Sequence, residues 1–302
     1  MSDRRTLLRA YRALRRAHGP RGWWPGRTRL EIILGAILTQ NTAWSNVERA
    51  LAAMRGAGLL RLPALRAVKE ESLGKVIRSS GTFRLKARRV RAFLGLLDRE
   101  FGGSLGRMSG TETALLRDRL LTVSGIGPET ADSILLYAFG RPIFVVDAYT
   151  TRILARHGLA GERTRYDEIQ RFFMDRLPAD PELFNDYHAQ LVKVGQEYCR
   201  RRPDCERCPL ARILPPAQIP PPGRIPPPAR IPSTGRILPP GRIPPPVRIP
   251  STGRILPPGR ALPSAPIPPP KRIPPSAETS RGAAGRARGG NSRAAGGRLL
   301  VP

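Results

Sequence analysis

Three cysteines in 302 residues, Cys199, Cys205 and Cys208, are too few and too closely spaced to staple a fold with disulfides. Their clustering suits a reducing compartment and a metal-binding loop instead. No apolar run approaches the ~18 residues that a membrane-spanning helix needs. The basic start MSDRRTLLRAYRALRRAHG has neither the apolar stretch nor the small-residue cleavage site of a secretion signal. We therefore expect no membrane span and no export. Histidine is scarce as well: His18, His157 and His188 show no H-x-x-x-H spacing and have no serine motif beside them, so each reads as structural. Acidic residues are outnumbered, 23 Asp+Glu against 52 Lys+Arg, for a formal net charge of +29. Clustered Lys and Arg gain affinity for phosphate backbones through counterion release, which makes nucleic acid the leading polyanionic partner. Charge alone leaves an acidic membrane surface open.

The chain is unevenly composed, because 25 of its 34 prolines lie after Ala211. Residues 1–211 carry 37 Lys+Arg against 22 Asp+Glu, and residues 212–302 carry 15 against one. From Arg212 to Ala277 a hexapeptide recurs through eleven units (RILPPA, QIPPPG, RIPPPA, RIPSTG and so on). Proline at two or three of every six positions removes backbone donors and forbids helix, so 212–277 is expected to be a disordered, extended arm with its arginines along one edge. It reads either as a basic tether or proline-module ligand, or as a translated DNA repeat without a role. Residues 278–302, rich in Arg, Gly and Ala, read as equally unfolded. That leaves a core of about 210 residues, ample for a buried interior.

Within that core apolar residues recur at spacings of three and four over Leu30–Ala53, Arg84–Phe101, Glu112–Leu121 and Thr130–Phe139, and no period-two series appears. Breaks at Gly58, Pro63, Gly81, Gly102, Gly125–Pro128, Gly140–Pro142 and Gly158 give roughly ten short helices. The expected class is all-α, with a short extended piece at Ile143–Val146.

The most informative segment is LTVSGIGPETADSILLYAFG, residues 121–140. Gly125-Ile126-Gly127 between two helices lets the backbone turn sharply and present successive N–H groups next to a helix start at Thr130, a geometry that holds a phosphate without reading a base. A plain helix–helix turn on glycine explains it equally. About twenty residues on, RPIFVVDAYTTRILARHG delivers Asp147 at the mouth of the next helix. It reads as a simple cap, or as a carboxylate that stabilises an oxocarbenium-like sugar and orients water.

Taken in order, LGAILTQNT (34–42), the G-I-G hairpin with Ser124 and Thr130, the following Val-Asp at Asp147 and the cysteine cluster resemble the helix-hairpin-helix DNA glycosylases of the endonuclease III superfamily, over about residues 20–210. The resemblance implies a two-lobed all-α fold, with one lobe from about 30–140 and the other from 1–29 plus 141–211. It also implies a hairpin that grips double-stranded DNA, a damaged nucleotide flipped out between the lobes, and Asp147 as the catalytic carboxylate. A monomer acting on DNA in the cytoplasm, with the nucleoid, follows from the same likeness. Bifunctional members resemble L-P-G-V-G-R-K-T-A at the hairpin, with a lysine that attacks C1′; here Glu129 stands at the lysine position and Pro128 before it. An acid forms no Schiff base, so unless Lys86 or another amine substitutes, water is the nucleophile.

The pattern GIGPETAD with WWPG at 23–26 and LTQNTAW at 38–44 looks most like the branch that includes bacterial 3-methyladenine glycosylases. Trp23, Trp24 and Trp44 are candidates to stack on a cationic alkylated purine, or are ordinary core aromatics. Gln40 and Asn41 are candidates to bond a base edge or fill the hole left in the duplex. Lys86, Arg88 and Arg89 are candidates for DNA contact, with a solvated helix face as the equal alternative. Cys199-x5-Cys205-x2-Cys208, followed by Pro209-Leu210, resembles the family's iron–sulfur loop, whose [4Fe–4S] cluster takes four thiolates. The fourth would fall near Leu214, where the repeat has begun, so iron, zinc or a metal-free packed loop all remain readings of three cysteines.

Overall fold

The structure, a computed structural model, describes residues 4–161 and 163–218, and among these the chain is helical with no β-strand. Twelve α-helices are present among the described residues: α1 (Arg4–His18), α2 (Arg29–Leu38), α3 (Trp44–Gly56), α4 (Leu62–Ala67), α5 (Glu70–Val76), α6 (Phe83–Phe101), α7 (Leu105–Ser109), α8 (Thr113–Leu121), α9 (Pro128–Ser133), α10 (Ala148–Arg156), α11 (Tyr166–Met174) and α12 (Pro181–Glu197). Local chemistry sets their ends. The Thr28 hydroxyl accepts from the Glu31 amide to open α2, Glu112 accepts from the Ala114 and Leu115 amides to open α8, and left-handed Gly102 stops α6.

The single apolar series from Leu30 to Ala53 is in fact two helices, broken at residues 39–43. Thr39-Gln40-Asn41-Thr42 is a run of polar side chains that compete for backbone groups, and Asn41 takes a left-handed φ of 53°, which Asn tolerates better than most residues.

Two apolar cores make the two lobes. One is built from α2 to α9 around Ile37, Val90, Phe93 and Leu116, and the other from α1 with α10, α11 and α12 around Leu14, Phe144, Phe173 and Tyr187. Trp24, Ile32 and Met174 pack against both, so they lie on the seam. After α9 the helix widens into one π-helical turn, Ile134–Ala138, and the chain then runs extended and buried through Ile143–Val146, unpaired, to reach Asp147.

The seam is pinned by Asp132, wholly buried in α9. Its carboxylate accepts both Nε (2.7 Å) and Nη2 (3.0 Å) of Arg117 from α8, and Tyr166 Oη (2.8 Å) and Gln170 Nε2 (2.7 Å) from α11. Both oxygens of this carboxylate are thus engaged, one bond to Oδ1 and three to Oδ2, the kind of compensation that lets a buried charge be tolerated.

The expected boundary at residue 211 is too early. Leu210 and Leu214, 1% and 8% exposed, sit in the second core, with Ile213 packed beside them. His157 Nδ1 lies 2.6 Å from the Pro215 carbonyl, and the Gln218 amide donates to the Arg156 carbonyl. The first unit of the hexapeptide series therefore belongs to the folded body. It escapes the proline argument because Ile213 and Leu214 precede its first proline and lie four residues or fewer from Leu210. The rest of the expected disordered arm, and 278–302, lie outside the described residues.

Candidate active site

The hairpin joins α8 to α9 through a turn in which Ser124, Gly125 and Gly127 are exposed while Ile126 anchors in the first core. Gly125 has φ +84°, and a Cβ there would run into the Arg89 side chain, so glycine is required twice over. Gly127 caps α9 without a side chain and with open space around it, leaving the first-turn backbone accessible.

Gln40 is bonded to the hairpin. Its Nε2 donates to the Gly125 carbonyl (2.9 Å) and to Thr130 Oγ1 (2.8 Å), and its Oε1 accepts from Arg89 Nη1. The amide is spent on holding the hairpin turn, with buried Thr130 as partner. Asn41, next to it, is exposed.

Asp147 ends the extended run as the N-cap of α10. Its Oδ1 accepts from the Thr150 amide at 2.7 Å, and 13% of the side chain remains exposed. Burial raises its pKa, but His188 and the Thr150 amide together outweigh that and hold it below the ordinary aspartate range, so the group is ionised at neutral pH. His188, in the middle of α12, puts Nε2 3.7 Å from Asp147 Oδ2, and its Nδ1 is 2.6 Å from Tyr137 Oη. No sequence spacing places Tyr137 or His188 beside Asp147, and for His188 the sequence alone suggests a structural role.

Glu129, in the first turn of α9, faces the same group. Its side chain is exposed at the surface, yet desolvation by nearby protein first, and the Asp147 charge second, raise its pKa to about 7, with His188 opposing. The site therefore holds two carboxyls whose surroundings push them apart, one ionised and one close to half-protonated at neutrality.

Beside them is a continuous aromatic wall. Trp24 stacks on Tyr137 (centroids 4.9 Å apart, 27° between planes) and meets Trp44 edge-on at 4.8 Å, with Trp23 5.7 Å from Trp24 and 6.1 Å from Trp44. All three tryptophans are only partly buried, and Gly35 lets the Trp24 ring lie against α2. Trp44 Nε1 donates to Glu48.

Lys86 is not an amine at this site. Its side chain is fully buried and its Nζ donates to the Leu38 carbonyl (2.8 Å) and to the Ser80 carbonyl, closing the end of α2. Burial, with Arg89 adding to it, lowers its pKa to about 8. Of the three basic candidates on α6, only Arg88 is exposed; Arg89 is engaged with Gln40.

Cys199, Cys205 and Cys208 line one small cavity with His157 and Asp204. Cys199 is buried and accepts from Arg156 Nη1 at 3.2 Å, and burial raises the Cys208 thiol. Among the described residues no three His, Cys, Asp or Glu side chains converge closely enough to hold a metal ion. The sequence position at which the family spacing calls for a fourth thiolate holds apolar Leu214, buried in the second core, and the chain has no other cysteine. The residues present do not fit a four-thiolate cluster.

Residues 34–179 match the family model described as HhH-GPD superfamily base excision DNA repair protein. A "putative DNA repair glycosylase" of Methanocaldococcus jannaschii is 41% identical over 202 residues, which is 66% of this chain and 91% of that protein. Endonuclease III of Thermotoga maritima is 28% identical over 177 residues, 58% of this chain and 77% of the relative. Among solved structures, the H. pylori 3-methyladenine DNA glycosylase bound to 1,N6-ethenoadenine superposes with a TM-score of 0.57 at 28% identity, covering 65% of this chain and 98% of that one. An endonuclease III–DNA covalent intermediate shares the fold, with a TM-score of 0.60 at 22% identity over 71% of this chain and 96% of that one. An acid at a helix mouth beside a glycine hairpin is thus set in a chain alike along almost its whole folded length to repair enzymes, and the chain belongs to the HhH-GPD superfamily of base excision DNA repair proteins, as a DNA N-glycosylase.

Proposed function

We propose that this glycosylase is monofunctional and releases alkylated purines from double-stranded DNA by hydrolysis. The observation that carries the reading is Asp147, held ionised at the cleft with a carboxyl, Glu129, rather than an amine as its neighbour. The damaged nucleotide is flipped out so that its base lies against the wall of Trp23, Trp24 and Trp44. A cationic, electron-poor purine gains most from such faces. As the C1′–N bond breaks, the base leaves with the bonding pair, and a cationic purine departs neutral. Positive charge gathers on the sugar, where the Asp147 carboxylate stabilises it. Water adds to C1′ and gives up its proton to Asp147 or solvent, leaving an intact abasic strand. The exposed turn Ser124, Gly125 and Gly127, with Ile126 and Thr130 as its anchors, holds the DNA backbone. Asn41, exposed and left-handed beside that turn, supports a role in filling the vacated position.

The 28% identical H. pylori enzyme, named for 3-methyladenine and bound to an etheno-purine, lends support to the purine reading. The test is purified full-length protein against a panel of single-lesion duplexes, with borohydride present in a parallel set. Release of alkylated purines without a trapped covalent complex is expected. Preference for oxidised pyrimidines, or efficient trapping, would overturn the reading.

A further inference from the structure

Three elements meet at Asp147, with α12 remote in sequence from the other two. Tyr137 comes from the π-helical turn, His188 from the middle of α12, and Asp147 from the cap of α10. The Tyr137 hydroxyl is 2.6 Å from His188 Nδ1, whereas His188 Nε2, buried, has no hydrogen-bond partner and points at Asp147 Oδ2 from 3.7 Å. Burial raises the Tyr137 pKa far above the phenol range, so this oxygen keeps a proton that it can donate to Nδ1. Nδ1 is then the acceptor, which leaves the ring proton on Nε2, facing the carboxylate. The opposite tautomer would set a lone pair against a negative oxygen. Meanwhile Asp147 Oδ1 is tied to the Thr150 amide at 2.7 Å. An orphaned buried N–H is costly and is retained in few native sites without a reason. Here it guards one oxygen of the carboxylate and leaves the other face of the group to the cleft. Tyr137 also stacks on Trp24, so the same side chain touches the wall on which we seat the base.

We propose that Tyr137 and His188 are positioning residues for glycosidic cleavage: Tyr137 fixes the tautomer of His188, and the His188 Nε2–H holds the Asp147 carboxylate in line with the aromatic wall. The proposal rests on the reading of Asp147 as the catalytic carboxylate. Misplacing such a group by 1 Å costs on the order of 10²-fold in rate.

The variants H188Q, H188N, Y137F and D147N separate the possibilities, measured by single-turnover base release, by affinity for the lesion duplex, by thermal melting and by ¹⁵N NMR of the histidine rings. Glutamine carries an N–H out to about the Nε2 position, and asparagine stops short of it. H188Q is expected within a fewfold of wild type. H188N is expected to lose on the order of 10²-fold in rate with duplex affinity unchanged. Y137F should fall between them and turn a single Nε2–H tautomer of His188 into a mixture. A wild-type rate in H188N, equal losses in H188Q and H188N, or an Nδ1–H tautomer in the native protein would each overturn the clamp. D147N tells the two readings apart: if it is active, the carboxylate reading itself fails, and if it is inactive while H188N is active, only the clamp does.

Discussion

Asp147→Asn separates what this residue does for the fold from what it does for the reaction. The fold uses one oxygen, Oδ1, as the cap that accepts from the Thr150 amide at 2.7 Å. An asparagine Oδ1 can make the same bond, and Asn and Asp are nearly equal as N-caps. The lowered pKa of Asp147 means that its charge contributes stability above the unfolded carboxylate pKa, a contribution lost only as pH falls through the folded value, below about pH 4. Asn forgoes that net contribution at neutral pH, from which the burial penalty opposing ionisation is already subtracted. Melting should therefore shift by only a few degrees. The reaction uses the charge itself, and removing one preorganised electrostatic group costs about 2.7–4 kcal/mol, or roughly 10²–10³-fold in rate. Single-turnover base release with enzyme in excess reads that loss directly, and titration of a lesion duplex should show nearly unchanged affinity, since the charge serves the transition state more than the bound substrate. A variant with intact melting behaviour and a release rate within about threefold of wild type would refute the assignment.

Asp132→Ala leaves Arg117 without its bidentate partner and strips acceptors from Tyr166 and Gln170, so a loss of about 3–5 kcal/mol in urea unfolding is expected; a loss below 1 kcal/mol would deny Asp132 its role at the seam. Glu129 has a folded pKa raised to about 7, so its contribution to stability is full below pH 4.5 and is lost as pH rises towards 7. Glu129→Gln should lack that slope, and its urea midpoint relative to wild type should rise between pH 4.5 and 7 and then level off. Truncation after Gln218 should leave melting and base release as in the full chain. Truncation after Ala211 removes the buried Leu214 and the Pro215 carbonyl bonded to His157, and should cost roughly 2 kcal/mol or more; equal melting of the two truncations would show that 212–218 is no strap.

What was legible in the sequence was what is local. The glycine hairpin, the all-α class and Asp147 at a helix mouth each depend on residues within one turn or two, where spacing, capping and left-handed backbone carry the information. His188 was illegible because its partner Tyr137 lies 51 residues upstream and on another element, and no spacing rule connects them. The partners of Gln40 are illegible for the same reason: Gly125 and Thr130, which its amide holds, lie 85 and 90 residues on. Lys86 sits on a helix that reads as basic and exposed, and only packing shows that it points inward to carbonyls of other segments. Leu214 makes the point in the opposite direction. The repeat pattern concealed it, because one apolar residue ahead of prolines looks the same whether or not a core lies within reach. In the folded chain it stands where the cysteine spacing would put a fourth thiolate and is 8% exposed in the second core. At the position where the resemblance calls for a ligand, this chain has an apolar side chain that packs into the second core. Arg156 bonded to Cys199 and His157 to the Pro215 carbonyl add polar contacts to the same segment.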